Sequence, residues 1–408
     1  MMLDDVRCTL SADASTHHGA ARLSPGVLHV SSSISAIQFI DLKSQTERVR
    51  HRIEEGWRRA VDHGQYIMGP EVAELEQRLA EFTGATEAVS CSSGTDALWL
   101  PMLALGIGPG DAVFVPSWTF TATAEAVCLV GASPVFVDVD ADTMNLAPAS
   151  LASAITAINR EGALKPRAVI PVDLFGIAAD YPAIMEIARN SKLTVVSDAA
   201  QAFGAKLGNR RVGVLADITS TSFFPAKPLG CWGDGGAIFT NDAEIAEKLR
   251  SIRIHGRGGH GKYDNVRVGT NARLDTLQAV VLLEKLTIFE EELVARQLVA
   301  ERYAEGLRGV VTLPTVPAGD MAAWAQYTIR TPRRDALQKG LSERKVPSQL
   351  YYPKPLHMQP PYRDYPITPG GLPVTERLKD EVLSLPMHPY LSAAQSAYIC
   401  DQVRTVLS

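Results

Sequence analysis

Residues 222–236 read Ser-Phe-Phe-Pro-Ala-Lys-Pro-Leu-Gly-Cys-Trp-Gly-Asp-Gly-Gly, a short aromatic strand running into a lysine between prolines and then a glycine-rich turn. Pro225 and Pro228 fix φ on either side and give no N–H to a neighbouring ladder, so Lys227 stands on a rigid, irregular backbone. An amine becomes nucleophilic when burial depresses its pKa, and lysine is the residue that forms Schiff bases with carbonyl compounds. A lysine taken alone is a solvated surface residue; the company of Lys227 singles it out. Upstream, residues 193–204 form a β-branched run that ends in Asp198 and Gln201. Acidic residues at the carboxyl ends of such strands sit where α/β sheets bind ligands. Asp198 there either pairs with a protonated ring nitrogen, whose charge keeps it ionised despite burial, or caps the next helix. Residues 92–96, Ser-Ser-Gly-Thr-Asp, turn a strand directly into a helix, which makes either an anion site at the first-turn N–H groups or a plain capped turn. Residues 112–123 repeat the strand-to-helix scheme, and an aromatic residue at such a strand end can stack on a planar ring.

The elements that must present these residues alternate along the chain. Strands read at residues 88–91, 112–116, 134–140, 168–173, 193–196 and 236–240 have helices between them, which implies a mostly parallel sheet covered on both faces. Before them, a polar helix carries Val49, Ile53 and Trp57 on one face, and a glycine-containing loop over residues 63–71 enters a helix with Val72, Leu75, Leu79 and Phe82 in helical spacing. Pro101 is expected to fall early in the helix that follows residue 94 and to kink it. Helices around residues 282–307 lead to a second domain with a strand at 326–330. Residues 1–36 show no period and read as a flexible leader, with His17 and His18 incidental rather than metal-binding. His255, beside a glycine turn, reads as structural or as a proton-transfer group.

The strings Asp-Ala-Ala-Gln at 198–201, Ser-Phe-Phe-Pro-Ala-Lys-Pro-Leu-Gly at 222–230 and Gly-Asp-Gly-Gly at 233–236, in that order, resemble the pyridoxal-phosphate sugar aminotransferases of the DegT/StrS type, over roughly residues 37 to 408. The resemblance implies the type I fold of such aminotransferases: a large α/β domain with a seven-stranded, mostly parallel sheet over residues 37–290, and a smaller C-terminal α/β domain over 291–408. It implies pyridoxal 5'-phosphate as cofactor, Lys227 as its Schiff-base lysine and Asp198 as the partner of its ring nitrogen. Gln201 neighbours the ring, Phe120 stacks on it with Trp118 a weaker candidate, and Gly94, Thr95 and Ser222 hold the phosphate. Asn271 reaches the phosphate of a neighbouring subunit, so the sites are shared in a homodimer. Arg273 meets a substrate carboxylate, and Tyr351, Tyr352 and His357 belong to a loop that closes over substrate. Asp173 stands where relatives often carry histidine and is assigned no catalytic role. Residues 383–388 resemble the family's usual ending.

The implied reaction is amino transfer from an amino acid, with L-glutamate the expected donor, to a keto-sugar nucleotide. Residues 63–71, 224–230, 262–273 and 351–357 look most like the enzymes that aminate UDP-2-acetamido-2-deoxy-3-oxo-glucuronate for surface-polysaccharide synthesis. A dTDP-linked 3-oxo or 4-oxo deoxysugar is the competing substrate, and a non-catalytic sensor the reading from another class. Relatives that act as dehydratases carry histidine at the lysine position, so Lys227 disfavours that reading.

Composition agrees with that class. The chain has 408 residues, 46% hydrophobic content and a net charge of −5, enough for two cores and without the clustered cations a nucleic-acid surface needs. No apolar run approaches the roughly 18 to 20 residues of a membrane span. Cys8, Cys91, Cys128, Cys231 and Cys400 are odd in number and lack metal-ligand spacing, which suits reduced thiols in the cytoplasm.

Overall fold

The computed structural model describes residues 36–408 other than 260 and 262. The leader expected at 1–36, apart from Ala36, lies outside the described residues, as do His17, His18, Cys8 and Lys262. The strands are β1 Glu87–Cys91, β2 Asp111–Pro116, β3 Ser133–Val137, β4 Lys165–Val169, β5 Thr194–Asp198, β6 Lys206–Leu207, β7 Arg210–Arg211, β8 Ile218–Ser222, β9 Gly236–Thr240, β10 Tyr327–Arg330 and β11 Val382–Leu385. The helices are α1 Leu42–His63, α2 Pro70–Thr83, α3 Gly94–Ala104, α4 Ala122–Leu129, α5 Pro148–Glu161, α6 Tyr181–Ser191, α7 Ala243–Ile252, α8 Thr276–Leu307, α9 Arg334–Glu343, α10 Pro373–Glu381 and α11 Ala393–Leu407.

Seven strands form one sheet in the order β1-β9-β8-β5-β4-β2-β3. Only β9 runs against the others. This is the mostly parallel sheet of the type I aminotransferase fold. Its strands are buried on both faces, as their β-branched runs require. One face packs on Val49, Ile53, Val72, Leu75 and Leu79 of α1 and α2, the residues whose helical spacing marked them. The other packs on Leu98 and Leu100 of α3 and Val127 of α4. A smaller C-terminal α/β unit pairs β10 with β11 and closes its core with Tyr303, Leu337, Leu383 and Ile399. Helix α8 serves both cores: Ala279 to Leu293 face the large sheet, and Val299 to Leu307 the small one. The boundary expected after residue 290 therefore falls inside one unbroken helix.

Two local readings change. The polar, β-branched run Ile218–Ser222 is the strand, and the aromatic pair lies beyond its end, with Phe223 buried and Phe224 exposed; Pro225 has no N–H with which to extend a ladder. Pro101 lies in the later half of α3. The missing N–H of Pro101 releases the Ala97 carbonyl one turn back, and the Ser220 hydroxyl of β8 donates to that carbonyl. The proline thus joins α3 to the sheet.

Among the described residues no helix is long and apolar enough to cross a membrane, and Cys91, Cys128, Cys231 and Cys400 are free thiols. Under the turn that carries Gln201, Phe203 stacks against Phe82, Phe239 and Phe289 at centroid distances of 5.2, 5.9 and 5.7 Å. Phe289→Ala is expected to cost about 3–5 kcal/mol by opening that cluster, measured by urea unfolding; a loss of less than about 1 kcal/mol would show that the cluster collapses to fill the space.

Candidate active site

Parallel strands end on the same rim of a sheet, and that places the chemistry here. Asp198 is the last residue of β5, and its partner across the ladder is Ser220 of β8, two residues before Ser222. Asp198 is 5% exposed. Its Oδ2 accepts from the Thr123 hydroxyl at 2.8 Å and its Oδ1 from the Ala200 N–H at 3.2 Å. Thr123 is itself 3.1 Å from the Thr119 hydroxyl. Burial raises the Asp198 pKa, and the Thr123 bond, the Ala200 N–H and the charge of Lys227 hold the rise back. Lys227 answers in the opposite sense: burial lowers its pKa and Asp198 raises it. Its loop closes on itself, with the Lys227 N–H donating to the Phe224 carbonyl at 2.9 Å and the Cys231 N–H to the Phe223 carbonyl at 2.8 Å.

Beside this pair lies an anion corner. The Ser93 hydroxyl caps α3 by accepting from the Asp96 N–H at 3.0 Å, while the amides of Gly94 and Thr95 precede any intrahelical acceptor. A Cβ on Gly94 would stand 2.5 Å from Cβ and 2.8 Å from Oγ of Ser222. Only glycine lets the helix start come that close to the end of β8. First-turn amides, a hydroxyl and the positive end of the helix dipole thus converge where an oxyanion fits.

The walls are aromatic. Phe120 is 54% exposed, whereas Trp118 is buried beneath the rim. Of the two aromatic candidates, Phe120 therefore offers a free face. Its ring lies 6.3 Å from that of Tyr352, and the Tyr352 hydroxyl accepts from Gln201 Nε2 at 3.0 Å. Gln201 Oε1 accepts from the Phe175 N–H at 2.7 Å, so Gln201 ties the 351–358 segment to the rim. Tyr351 packs between Tyr352 and Phe39, at 5.8 and 6.3 Å. His357 is turned inward: Nδ1 is 2.7 Å from the Ser117 hydroxyl, and Nε2 lies 3.4 Å from Glu376 Oε1, within ion-pair reach but off the line of a hydrogen bond. Burial lowers the His357 pKa, and Glu376 opposes that shift. In this position His357 fastens the segment.

Arg273 Nε donates to Asn271 Oδ1 at 2.9 Å. Both line a hollow of about 440 Å³ with Ile67, Ser92, Asp234 and Gln278. Ser92 puts that hollow next to the anion corner. Asp173 is fully buried and accepts from the Ala179 N–H and the Tyr181 and Ser197 hydroxyls, with burial pushing it up to about 7. His255 has φ of 66° beside Gly256, and its carbonyl accepts from Asn265. The residue that sequence reading passed over is Thr123. Its signal was its place in the first turn of a helix at a strand end, three residues after Phe120.

A sequence model of the DegT/DnrJ/EryC1/StrS aminotransferase family matches residues 47–404. The chain belongs to that family. The UDP-2-acetamido-2-deoxy-3-oxo-D-glucuronate aminotransferase of Pseudomonas aeruginosa is 48% identical over 365 residues, which are 89% of this chain and 98% of that protein. A crystal structure of a DegT DnrJ EryC1 StrS aminotransferase from Brucella abortus matches with a TM-score of 0.90 and 53% identity, covering 91% of this chain and 100% of that one. NtdA from Bacillus subtilis, with bound cofactor PMP, matches with a TM-score of 0.83 and 29% identity, covering 92% and 86% of the two chains.

In this member of the family the opposed shifts of Asp198 and Lys227 can be read without any ligand. Trace acetylation of the cofactor-free protein, followed by mass spectrometry across pH, is expected to titrate Lys227 below the roughly 10.4 of a free lysine. Asp198→Asn removes the charge that raises the amine's pKa and moves the midpoint lower still; a midpoint that rises would show that the two groups do not face each other.

Proposed function

We propose that this chain is a pyridoxal-phosphate enzyme that moves an amino group from an amino acid, with L-glutamate as donor, to the keto-sugar nucleotide UDP-2-acetamido-2-deoxy-3-oxo-D-glucuronate, in surface-polysaccharide synthesis in the cytoplasm. The observation that carries the reading is the buried Asp198 facing the charge of a half-buried Lys227, beside an anion corner that only glycine at 94 allows. Identity of 48% with the Pseudomonas aeruginosa enzyme supports the choice of substrate.

The residues fit the cofactor. The Gly94 and Thr95 amides and the Ser222 hydroxyl suit its phosphate, the free face of Phe120 suits its ring, and Gln201 suits the ring edge. Asp198 suits the ring nitrogen, whose positive charge would reverse the upward pull of burial on the carboxylate. When bound, pyridoxal phosphate supplies the electron sink for the charge released at the donor's α-carbon. Lys227 supplies the rest: a lowered pKa keeps a fraction of the amine unprotonated, able first to bond a carbonyl and then to carry a proton between the donor's α-carbon and the cofactor's C4′. Tyr351 and Tyr352 line the substrate side, on the segment that His357 fastens.

Asn271 and Arg273 act, in this reading, in the site of a second copy. Three features support that: both residues line a hollow beside the anion corner, they pair with each other rather than with Asp198 or Lys227, and the adjoining loop exposes Tyr66, Ile67 and Met68. Clustered exposed apolar residues mark an interface, and an isologous dimer would place Asn271 at the partner's phosphate and Arg273 at the carboxylate of its sugar.

The substrate is tested by loading the protein with pyridoxamine phosphate and offering UDP- and dTDP-linked keto-sugars. The UDP-linked 3-oxo-glucuronate should restore the aldehyde-form spectrum fastest; faster turnover of a dTDP-linked 3-oxo or 4-oxo deoxysugar overturns that choice. Sharing is tested by refolding Lys227→Ala with Arg273→Ala. Arg273→Ala alone should raise the KM for the sugar about ten- to a hundredfold by losing a charge-assisted contact. In the mixture, dimers that pair the two chains should recover a wild-type KM, and confirmed heterodimers without recovery would put Arg273 outside a shared site.

A further inference from the structure

Helix α8 buries Lys285 to 2% exposure. The one hydrogen bond its ammonium makes among the described residues goes to the Gly230 carbonyl, at 2.6 Å. Gly230 ends the loop that carries Lys227, and a Cβ there would stand 2.5 Å from the Pro225 carbonyl oxygen and 2.6 Å from that of Phe224. The loop is therefore folded tightly enough that displacing residue 230 displaces its whole outline. Two turns earlier on the same face of α8, Gln278 Oε1 accepts from the Trp232 N–H at 2.9 Å, so the helix holds the strip 230–232 at two points. Two turns later lies Glu292, itself buried and accepting from Gln45 at 2.7 Å.

A lysine is a costly way to fill this place. Burial lowers its pKa to about 8, with Glu292 and Cys231 pulling it back up. These two face it, as does Arg50 of α1 across a hollow of about 250 Å³ walled by Pro225 and Trp232. An apolar residue would pack there without the desolvation penalty, and what it would lack is the bond to the loop.

We propose that Lys285 is a positioning residue for Lys227: by holding the Gly230 carbonyl from α8 it fixes where the Lys227 amine stands relative to Asp198. This rests on the reading of Lys227 as the cofactor-bearing amine. Lys285→Met keeps the length and removes the donor. Without the clamp, Lys227 moves toward solvent and its trace-acetylation midpoint in the cofactor-free protein rises toward that of an ordinary lysine. In the loaded enzyme kcat falls about ten- to a hundredfold, the scale of a small misplacement of a reacting group, while both KM values stay within about twofold. Lys285→Arg, which keeps a cationic donor, brings the midpoint back toward the wild-type value.

Leu293→Ala, a cavity in the same helix away from the loop, lowers thermal stability and moves neither readout. If Lys285→Met does not accumulate folded, Lys285→Gln, whose shorter amide falls short of Gly230, is measured in its place. An unmoved Lys227 midpoint in these variants, or an equal shift in Leu293→Ala, overturns the proposal. Borohydride fixation of the wild-type holoenzyme keeps the two readings apart: label on another lysine defeats the reading of Lys227 itself, whereas label on Lys227 with an unmoved midpoint defeats only the role of Lys285.

Discussion

A buried acid and a half-buried amine at one rim of a sheet are the constraint on which the rest of this structure depends. Burial drives Asp198 toward its neutral acid and Lys227 toward its neutral amine, and each charge stabilises the other. Neither effect alone makes a site. An unpaired buried carboxylate would take up a proton, and a lysine fully neutralised by its partner would stay an inert ammonium. The fold keeps the pair between these limits by giving Asp198 two further donors, Thr123 and the Ala200 amide. The parallel pairing of β5 with β8 then brings the loop of Lys227 to the same edge.

Much of this arrangement was legible in the sequence because its elements obey local rules. β5 opens with the β-branched Thr-Val-Val and closes in a charge, α2 keeps its apolar residues in helical spacing, and prolines and glycines bracket Lys227. Long-range relations were not legible. Ile218–Ser222 is too polar to announce itself as a buried strand, so the neighbouring aromatic residues drew the strand toward themselves. Thr123 acquires its meaning only when a chain segment 75 residues away delivers Asp198 to it. His357 reads as a substrate-facing residue from its loop, whereas its ring is spent on Ser117, 240 residues distant. Lys285 looks like one more charge on a long helix until the helix is seen to bury it.

The glycine at 94 shows how packing and chemistry are joined. Its missing side chain is occupied by Ser222, so the closeness of the α3 start to the end of β8 serves the core and the anion corner at once. Pro101 works in the same direction from further along that helix, freeing a carbonyl that Ser220 then engages. A glycine at the start of α3 and a proline within it therefore set the distance between a helix N-terminus and a strand end. Any change that relaxed α3 toward a regular helix would loosen both contacts.

Helix α8 carries the same logic across the molecule. Its early turns hold the strip 230–232 through Gln278 and Lys285, and Glu292 meets Gln45 of α1 and the hydroxyl of Tyr390. One turn later, Arg296 donates to the Trp324 carbonyl at 3.0 Å. Close to Trp324, the Ala323 N–H donates to the Gly176 carbonyl at 2.8 Å. That turn contains Phe175, whose N–H holds Gln201, which in turn holds Tyr352. The lysine loop and the 351–358 segment are thus fastened to two levels of one helix that also fills both cores. A rigid helix transmits displacement along its length with little loss, because sliding it must break packing on every side. The two walls of the site are therefore held in register by α8, and the buried charges along it are where that register is set.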